Sequence, residues 1–279
     1  MAAITAADVN KLRQMTGAGM MDCKKALTEA DGDFEKAVDI LRKAGQKVAA
    51  KRADNAVSEG LVLTRISEDG TNGKLVALAC ETEPVSKVAD FQNLAQSLID
   101  LAVSSNATDK DALLTAPMAD GRPAQEHIVE LIGKIGEKIE VAAYENVTAD
   151  QVIAYVHSTG KLGVLVGLTN TGGADVAEVG RDIAMQIAAM KPVAIDRNGV
   201  DSATIEREIE IGKEQARAEG KPEAMLERIA QGKLEKFYKE NTLLAQQFVK
   251  DGNLTIAQLL DQTKKGLTVS TFKRVAIGG

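Results

Sequence analysis

The sequence predicts an α+β protein, and three observations carry that prediction. Apolar residues recur at helical spacing through the first 45 residues. A strand–strand–helix pattern then occurs twice. Its two copies share similar sequence 87 residues apart, at Gly73-Lys74-Leu75-Val76 and Gly160-Lys161-Leu162-Gly163-Val164, which suggests a duplicated α+β core. Finally, seventeen of the thirty-eight residues 203–240 are charged, too many for a globular core but suited to a projecting antiparallel helical hairpin.

The elements follow in order. Thr5 with Asp8 reads as a capping box opening a helix that buries Val9, Leu12 and Met15. Gly17 and Gly19 supply the turn that follows, because a tight turn needs residues free to take positive φ. A second helix carries Met20, Cys23, Leu27 and Ala30 on its apolar face, and Asp31-Gly32 turns the chain. Asp33 caps a third helix with Phe34, Ala37, Val38 and Leu41 at i, i+3, i+4 and i+7. Three short helices ending before Gly45 make a small bundle, marginal in stability alone. The polar stretch with Lys47, Lys51 and Arg52 reads as a basic linker.

Strands are expected at 61–65 and 75–78, joined as a hairpin through 68–73, with a helix at 89–103. Pro117, Gly121 and Pro123 punctuate a loop before a helix through Ile128, Leu131, Ile132 and Ile135. A strand at 152–157 and the strand containing Val164 precede a helix with Val179, Ile183, Ile187 and Met190 facing inward. In the hairpin, Ile205, Ile209, Gly212 and Ala216 form one seam. Gly220-Lys221-Pro222 breaks the helix, and Leu226, Ile229, Ala230, Leu234 and Phe237 line the return. Strand-like sequence resumes at 248–249 and 269–277. The expected divisions are an N-terminal module and linker (1–55), a first core subdomain (56–142), a second in two parts (143–198 and 239–279) and the inserted hairpin (199–238).

Composition narrows the function. The net charge of −6 and only eight Phe and Tyr, with no Trp, argue against direct nucleic-acid binding, which needs clustered cations and stacking platforms. Cys23 and Cys80 form no Cys-x-x-Cys pair, so both read as reduced thiols. No secretory core is visible near the start, and the longest apolar run, 162–168, is too short to span a bilayer. A cytoplasmic protein without membrane attachment is expected. Phosphate-binding, dinucleotide-binding and nucleophile-elbow motifs are absent, and His127 and His157 fall in no metal-ligand spacing. No catalytic residue, metal or cofactor is therefore expected, and the chain should work by binding another protein.

Residues 12–27, Leu-Arg-Gln-Met-Thr-Gly-Ala-Gly-Met-Met-Asp-Cys-Lys-Lys-Ala-Leu, closely resemble the N-terminal module of the elongation factor Ts family. Ile135-Gly136-Glu137, Tyr155-Val156-His157-Ser158-Thr159-Gly160 and 182–192 also match family segments. So does 244–250, with Gln247 where the family has Pro. The resemblance implies an N-terminal three-helix ubiquitin-associated-like bundle, two related core subdomains and an antiparallel coiled-coil insertion. It implies elongation factor Tu as partner, in GDP-bound and nucleotide-free forms, with promotion of Mg²⁺ and GDP release. The family's wedge, Thr-Asp-Phe-Val after a Cys-containing strand, is Thr82-Glu83-Pro84-Val85 here. The carboxylate is one methylene longer and the aromatic ring is gone. Arg13, Met20, Met21, Ile135, Gly136 and His157 match partner-contact positions.

The residues by themselves leave alternatives open. Met20 and Met21 are adjacent, so only one can point fully into a small core and the other is free for a partner. Glu83-Pro84 is a wedge or simply a strand-ending turn, and a lone His157 is structural or merely exposed. A non-catalytic adaptor or holdase would use the same docking surfaces, and the hairpin is a candidate for self-association.

Overall fold

The computed structural model describes residues 4–279; residues 1–3, which open the first expected division, lie outside the described residues. The fold is α+β, with small antiparallel sheets covered by helices.

Three helices come first: α1 (Ala6–Thr16), α2 (Met20–Glu29) and α3 (Phe34–Lys51). The capping box forms: Asp8 N donates to Thr5 Oγ1 at 3.2 Å and Thr5 N to Asp8 Oδ2 at 2.9 Å. Gly17, at φ 65°, closes α1 by donating to Arg13 O. Asp33 caps α3 through Lys36 N. Val9, Leu12, Cys23, Ala26, Leu27, Ala30 and Ala37 form the buried centre.

Two expectations about this region are corrected. Met15 and Met20 are exposed, not core. The buried face of α2 begins one turn later, at Cys23, whose Sγ donates to Ala18 O and lies 3.9 Å from Thr16 Oγ1. Nor is 46–51 a linker, since α3 runs through it. Its Val48 and Ala49 pack on the next core, and Gly45 lies backbone to backbone against Gly133, where an added Cβ would sit 2.8 Å from Gly45 Cα.

The chain then forms β1 (Glu59–Ile66), β2 (Asn72–Cys80), the single turn α4 (Glu83–Ser86), α5 (Ala89–Ser104), α6 (Lys110–Thr115), α7 (Ala124–Ile135) and β3 (Ile139–Thr148). β1, β2 and β3 make one antiparallel sheet with β2 central. Alternation along β2 sends Val76, Leu78 and Cys80 toward α5 and α7, where Phe91, Leu98 and Ile128 are buried. Leu75, Ala77 and Ala79 face the other way.

That other face meets a second antiparallel sheet, β4 (Gln151–Val156), β5 (Leu162–Thr169) and the later strand β8, in the order β4-β5-β8. Val62, Leu75 and Val147 pack there against Val152, Leu165 and Ile277. α8 (Ala177–Met190) covers the outer face of this sheet with Val179, Ile183 and Ile187, while Met190, expected inside, is exposed.

The charged segment forms α9 (Ser202–Ala218) and α10 (Leu226–Asn241), packed together through Gly212, Ala216, Leu226, Ala230 and Leu234. Near its root Phe237 packs partly buried, as expected, and Tyr238 beside it is buried, with the Arg197 guanidinium 4.9 Å from the Tyr238 ring centre. Then come β6 (Gln247–Phe248), β7 (Asp251–Thr255), α11 (Ile256–Thr263) and β8 (Thr268–Ala276). Among the described residues no helix is long and apolar enough to cross a membrane.

Both cysteines are free and buried. Burial, with the Glu137 and Glu59 charges adding to it, pushes the Cys80 thiol up to about 12. Because the thiolate is the reactive form, Cys80 should resist iodoacetamide at pH 8 in the folded protein and react once guanidinium unfolds it. Peptide mass mapping of both samples checks this, and rapid alkylation of native Cys80 would contradict it.

Candidate partner-binding site

The turn after β2 is built by a clasp between two chain segments. The β-ladder ends where Cys80 pairs with Glu59 on one side and Ile139 on the other. Beyond it, Glu81 accepts from Lys138 N at 2.6 Å, from Arg52 Nη1 at 2.9 Å and from Asn55 Nδ2 at 3.0 Å. In return Glu137 accepts from Thr82, whose backbone N lies at 3.1 Å and Oγ1 at 2.7 Å. The Lys138 amide first, then Asn55 and Arg52, hold the Glu81 carboxyl below its ordinary range against the cost of its burial. Glu81 is ionised at neutral pH.

Thr82 is the N-cap of α4 and Pro84 sits in its first turn, where a missing N–H costs nothing. Val85 is buried and is part of the core. Glu83 and Pro84 are exposed. The Glu83 carboxylate is 2.6 Å from the Lys87 ammonium, one helical turn on, and that hydrogen bond holds its carboxyl below the ordinary value. The turn therefore presents a solvent-facing carboxylate beside a rigid proline, without an aromatic ring.

Ile135 and Gly136 end α7 next to this clasp. Gly136 takes φ 85° and donates to Ile132 O at 2.8 Å, which releases the chain toward Glu137. His157 stands exposed at the β4–β5 turn, with Nδ1 2.9 Å from Tyr155 Oη. The same turn reaches the end of β1: Gly160 O accepts from Val62 N, and Lys161 Nζ is 3.0 Å from Glu59 Oε1. The Lys161 charge also acts on Glu83.

Arg13, Met20 and Met21 form a separate group on α1 and α2. All three are exposed, and the methionines keep 57% and 64% of their surface free, so neither serves the core and both are available for contact. The structure thus brings 82–85 together with 135–137 and connects the His157 turn to them through Glu59, while the methionines sit on α2 just after the turn that approaches Lys134 of α7. The sequence reading missed Arg52, Asn55, Glu81 and Lys138. Glu81 had one signal, its place directly before the turn.

No group of three or more His, Cys, Asp or Glu side chains among the described residues could hold a metal ion. A groove of about 320 Å³ lies between α1–α3 and α7, bordered by Met15, Leu41, Val48 and Lys134. None of the expected contact residues lines it, so it is not the chemistry suggested by the turn.

Comparison with known proteins extends the local geometry to the chain. The family model described as Elongation factor TS matches residues 81–279, starting at Glu81 itself. Elongation factor Ts of Cytophaga hutchinsonii is 64% identical over 277 residues, covering 99% of this chain and 100% of the relative. That of Amoebophilus asiaticus is 53% identical, covering 99% of each chain. That of Porphyromonas gingivalis is 49% identical, covering 99% of this chain and 98% of the relative. Identity at this level runs through the N-terminal helices as well as the matched region, and the chain belongs to the elongation factor Ts family of translation elongation factors.

Proposed function

We propose that this chain binds elongation factor Tu in its GDP-bound form, promotes loss of Mg²⁺ and GDP, and leaves the nucleotide-free GTPase able to load GTP. It acts in the cytoplasm, by differential binding and without covalent catalysis. Linkage is reciprocal: each tenfold weakening of GDP by the factor is matched by a tenfold weakening of the factor by GDP, about 1.4 kcal/mol per decade. Such a protein needs a broad docking surface and one element that disturbs the nucleotide site.

The exposed Glu83, carried on a turn fastened on both sides, is the observation that supports this reading most. In the proposal Thr82, Glu83, Pro84 and Val85 form the element that displaces Mg²⁺. Thr82 and Val85 anchor it, Glu83 supplies charge and Pro84 a stiff flank. Arg13, Met20, Met21, Ile135, Gly136 and His157 make the partner contacts. The proposed organisation is a three-helix module, two related subdomains built on the two sheets, and the α9–α10 pair as the inserted coiled coil. That pair is also the proposed route to self-association.

The test is stopped-flow release of a fluorescent GDP analogue from elongation factor Tu. The protein should accelerate release in a saturable manner, and no acceleration at saturation would sink the reading. Complex formation equally tight with and without GDP would favour an adaptor, since coupling would then be zero. In the same assay Glu83→Ala should leave affinity for the GTPase nearly unchanged and lower the maximal release rate about tenfold, the loss of one preorganised charge. An unchanged maximum would assign displacement to other residues.

A further inference from the structure

We propose that Glu81 is a positioning residue: it ties the turn bearing Glu83 to the far end of α3, so that docking of the first three helices sets where Glu83 is delivered. The inference rests on the exchange reading above and adds a component that reading does not need.

Helix α3 is built as a rod. Its eighteen residues span about 27 Å at 1.5 Å per residue. One end lies in the three-helix cluster through Phe34, Ala37 and Val38. Its middle rests on α7 at Gly45 and Gly133, with no side-chain layer between the backbones to yield. The bundle also approaches the core closely at the turn after α1: Lys134, paired with Asp90 at 2.6 Å within the core, lies so near that a Cβ on Gly17 would come within 2.5 Å of its Nζ.

At the other end of the rod, Arg52 Nη1 donates to both Glu81 carboxylate oxygens at 3.0 and 2.9 Å. Asn55 donates a third bond to Glu81, and its carbonyl accepts from Lys138 Nζ at 3.1 Å. Glu81 keeps 17% of its side-chain surface and Arg52 38%, so these charge-assisted bonds are only partly screened from water, and their strength comes from their number and geometry.

The fold does not require this junction in order to form. β2 is already held on both edges as far as Cys80, and Val85 is buried on the other side of the turn. Glu81 instead orients the segment where the ladder has ended. Removing its charge should therefore leave folding and docking intact while loosening the direction of Glu83. Misplacement on the order of 1 Å can cost up to about a hundredfold in a rate that depends on geometry.

Glu81→Gln and Arg52→Met, in the full-length chain, are compared with the wild type in the GDP-analogue assay across a concentration series. With Glu81→Gln the maximal release rate should fall about tenfold, while the half-saturating concentration stays within about twofold. Arg52→Met should fall in the same direction by less, since the Lys138 amide still holds Glu81. The double variant should be no slower than Glu81→Gln, the non-additivity of residues acting as one unit. An unchanged maximum in Glu81→Gln, with wild type active, overturns the inference and leaves the exchange reading standing. Parallel loss of affinity, rate and melting temperature also overturns it, by making Glu81 a structural residue. A wild type that accelerates nothing removes both.

Discussion

Phe91→Ala is expected to cost about 3–5 kcal/mol of stability, the range for deleting a fully buried aromatic ring. For a chain of this size the melting temperature should fall by roughly 5–10 °C. The side chain, on α5, is completely buried among Val76 and Leu78 of β2, Leu98 of α5 and Ile128 of α7, so its deletion leaves a cavity in a close-packed core. The experiment also decides a functional question. Phe91 is the aromatic residue nearest in sequence to Thr82-Glu83-Pro84-Val85, yet it is not an evident stand-in for the ring that the resemblance gives the wedge and this turn lacks. Its burial removes it from that role. At low temperature, where enough of the variant remains folded, the maximal rate of GDP release per folded molecule should match the wild type. Phe91→Leu should keep most of the stability as well. A Phe91→Ala protein with native melting and a specifically lowered maximal rate would make Phe91 the missing wedge after all.

The burial of Phe91 shows what local pattern can reveal. Its helix is legible from the spacing of Phe91, Leu94, Leu98, Ile99 and Leu101, because a helix that covers a sheet must keep one apolar stripe. The caps at Thr5 and Asp33 are legible for a similar reason: their partners lie three residues away. Features set by distant partners were not. Gly45 looks like a helix end until Gly133 is seen against it. Strand β3 escaped notice because its buried Ile139, Val141, Tyr144 and Val147 are separated by Glu140, Glu145 and Asn146, and a register shift opposite Ala77 and Leu78 breaks the alternation. The clasp at the candidate site is the extreme case. Glu81 meets Arg52 across 29 positions and Lys138 across 57, and no periodicity connects them. Resemblance pointed to Thr82-Glu83-Pro84-Val85, but only the structure separates the exposed Glu83 and Pro84 from the buried Val85.

Met20→Asp/Met21→Asp is expected to weaken binding to elongation factor Tu by about ten- to a hundredfold, with little loss of stability. Both side chains are more than half exposed, so the folded protein gains nothing from their packing. Each would contribute about 1.5–3 kcal/mol if fully covered by a partner. Scaled to the surface each still exposes, the pair is worth about 2–3.5 kcal/mol; the ordering costs of association reduce this and the desolvation of the new carboxylates adds to it, which leaves a change on the order of ten- to a hundredfold in Kd. The fold tolerates them for a separate reason. Positions 20 and 21 open α2, where acidic side chains complement the helix dipole, as Asp22 already does. Titration calorimetry against the GTPase and thermal unfolding of the free variant measure the two effects independently. In the release assay the half-saturating concentration should rise while the maximal rate stays within about twofold, opposite to the pattern expected for Glu81→Gln. That contrast would separate docking from displacement: in the proposed mechanism the methionines set how often the complex forms, and the clasped turn sets what happens once it has. Wild-type affinity in the double variant would move the docking surface off α2, and a lowered maximum would mean that grip and wedge are one mechanical unit.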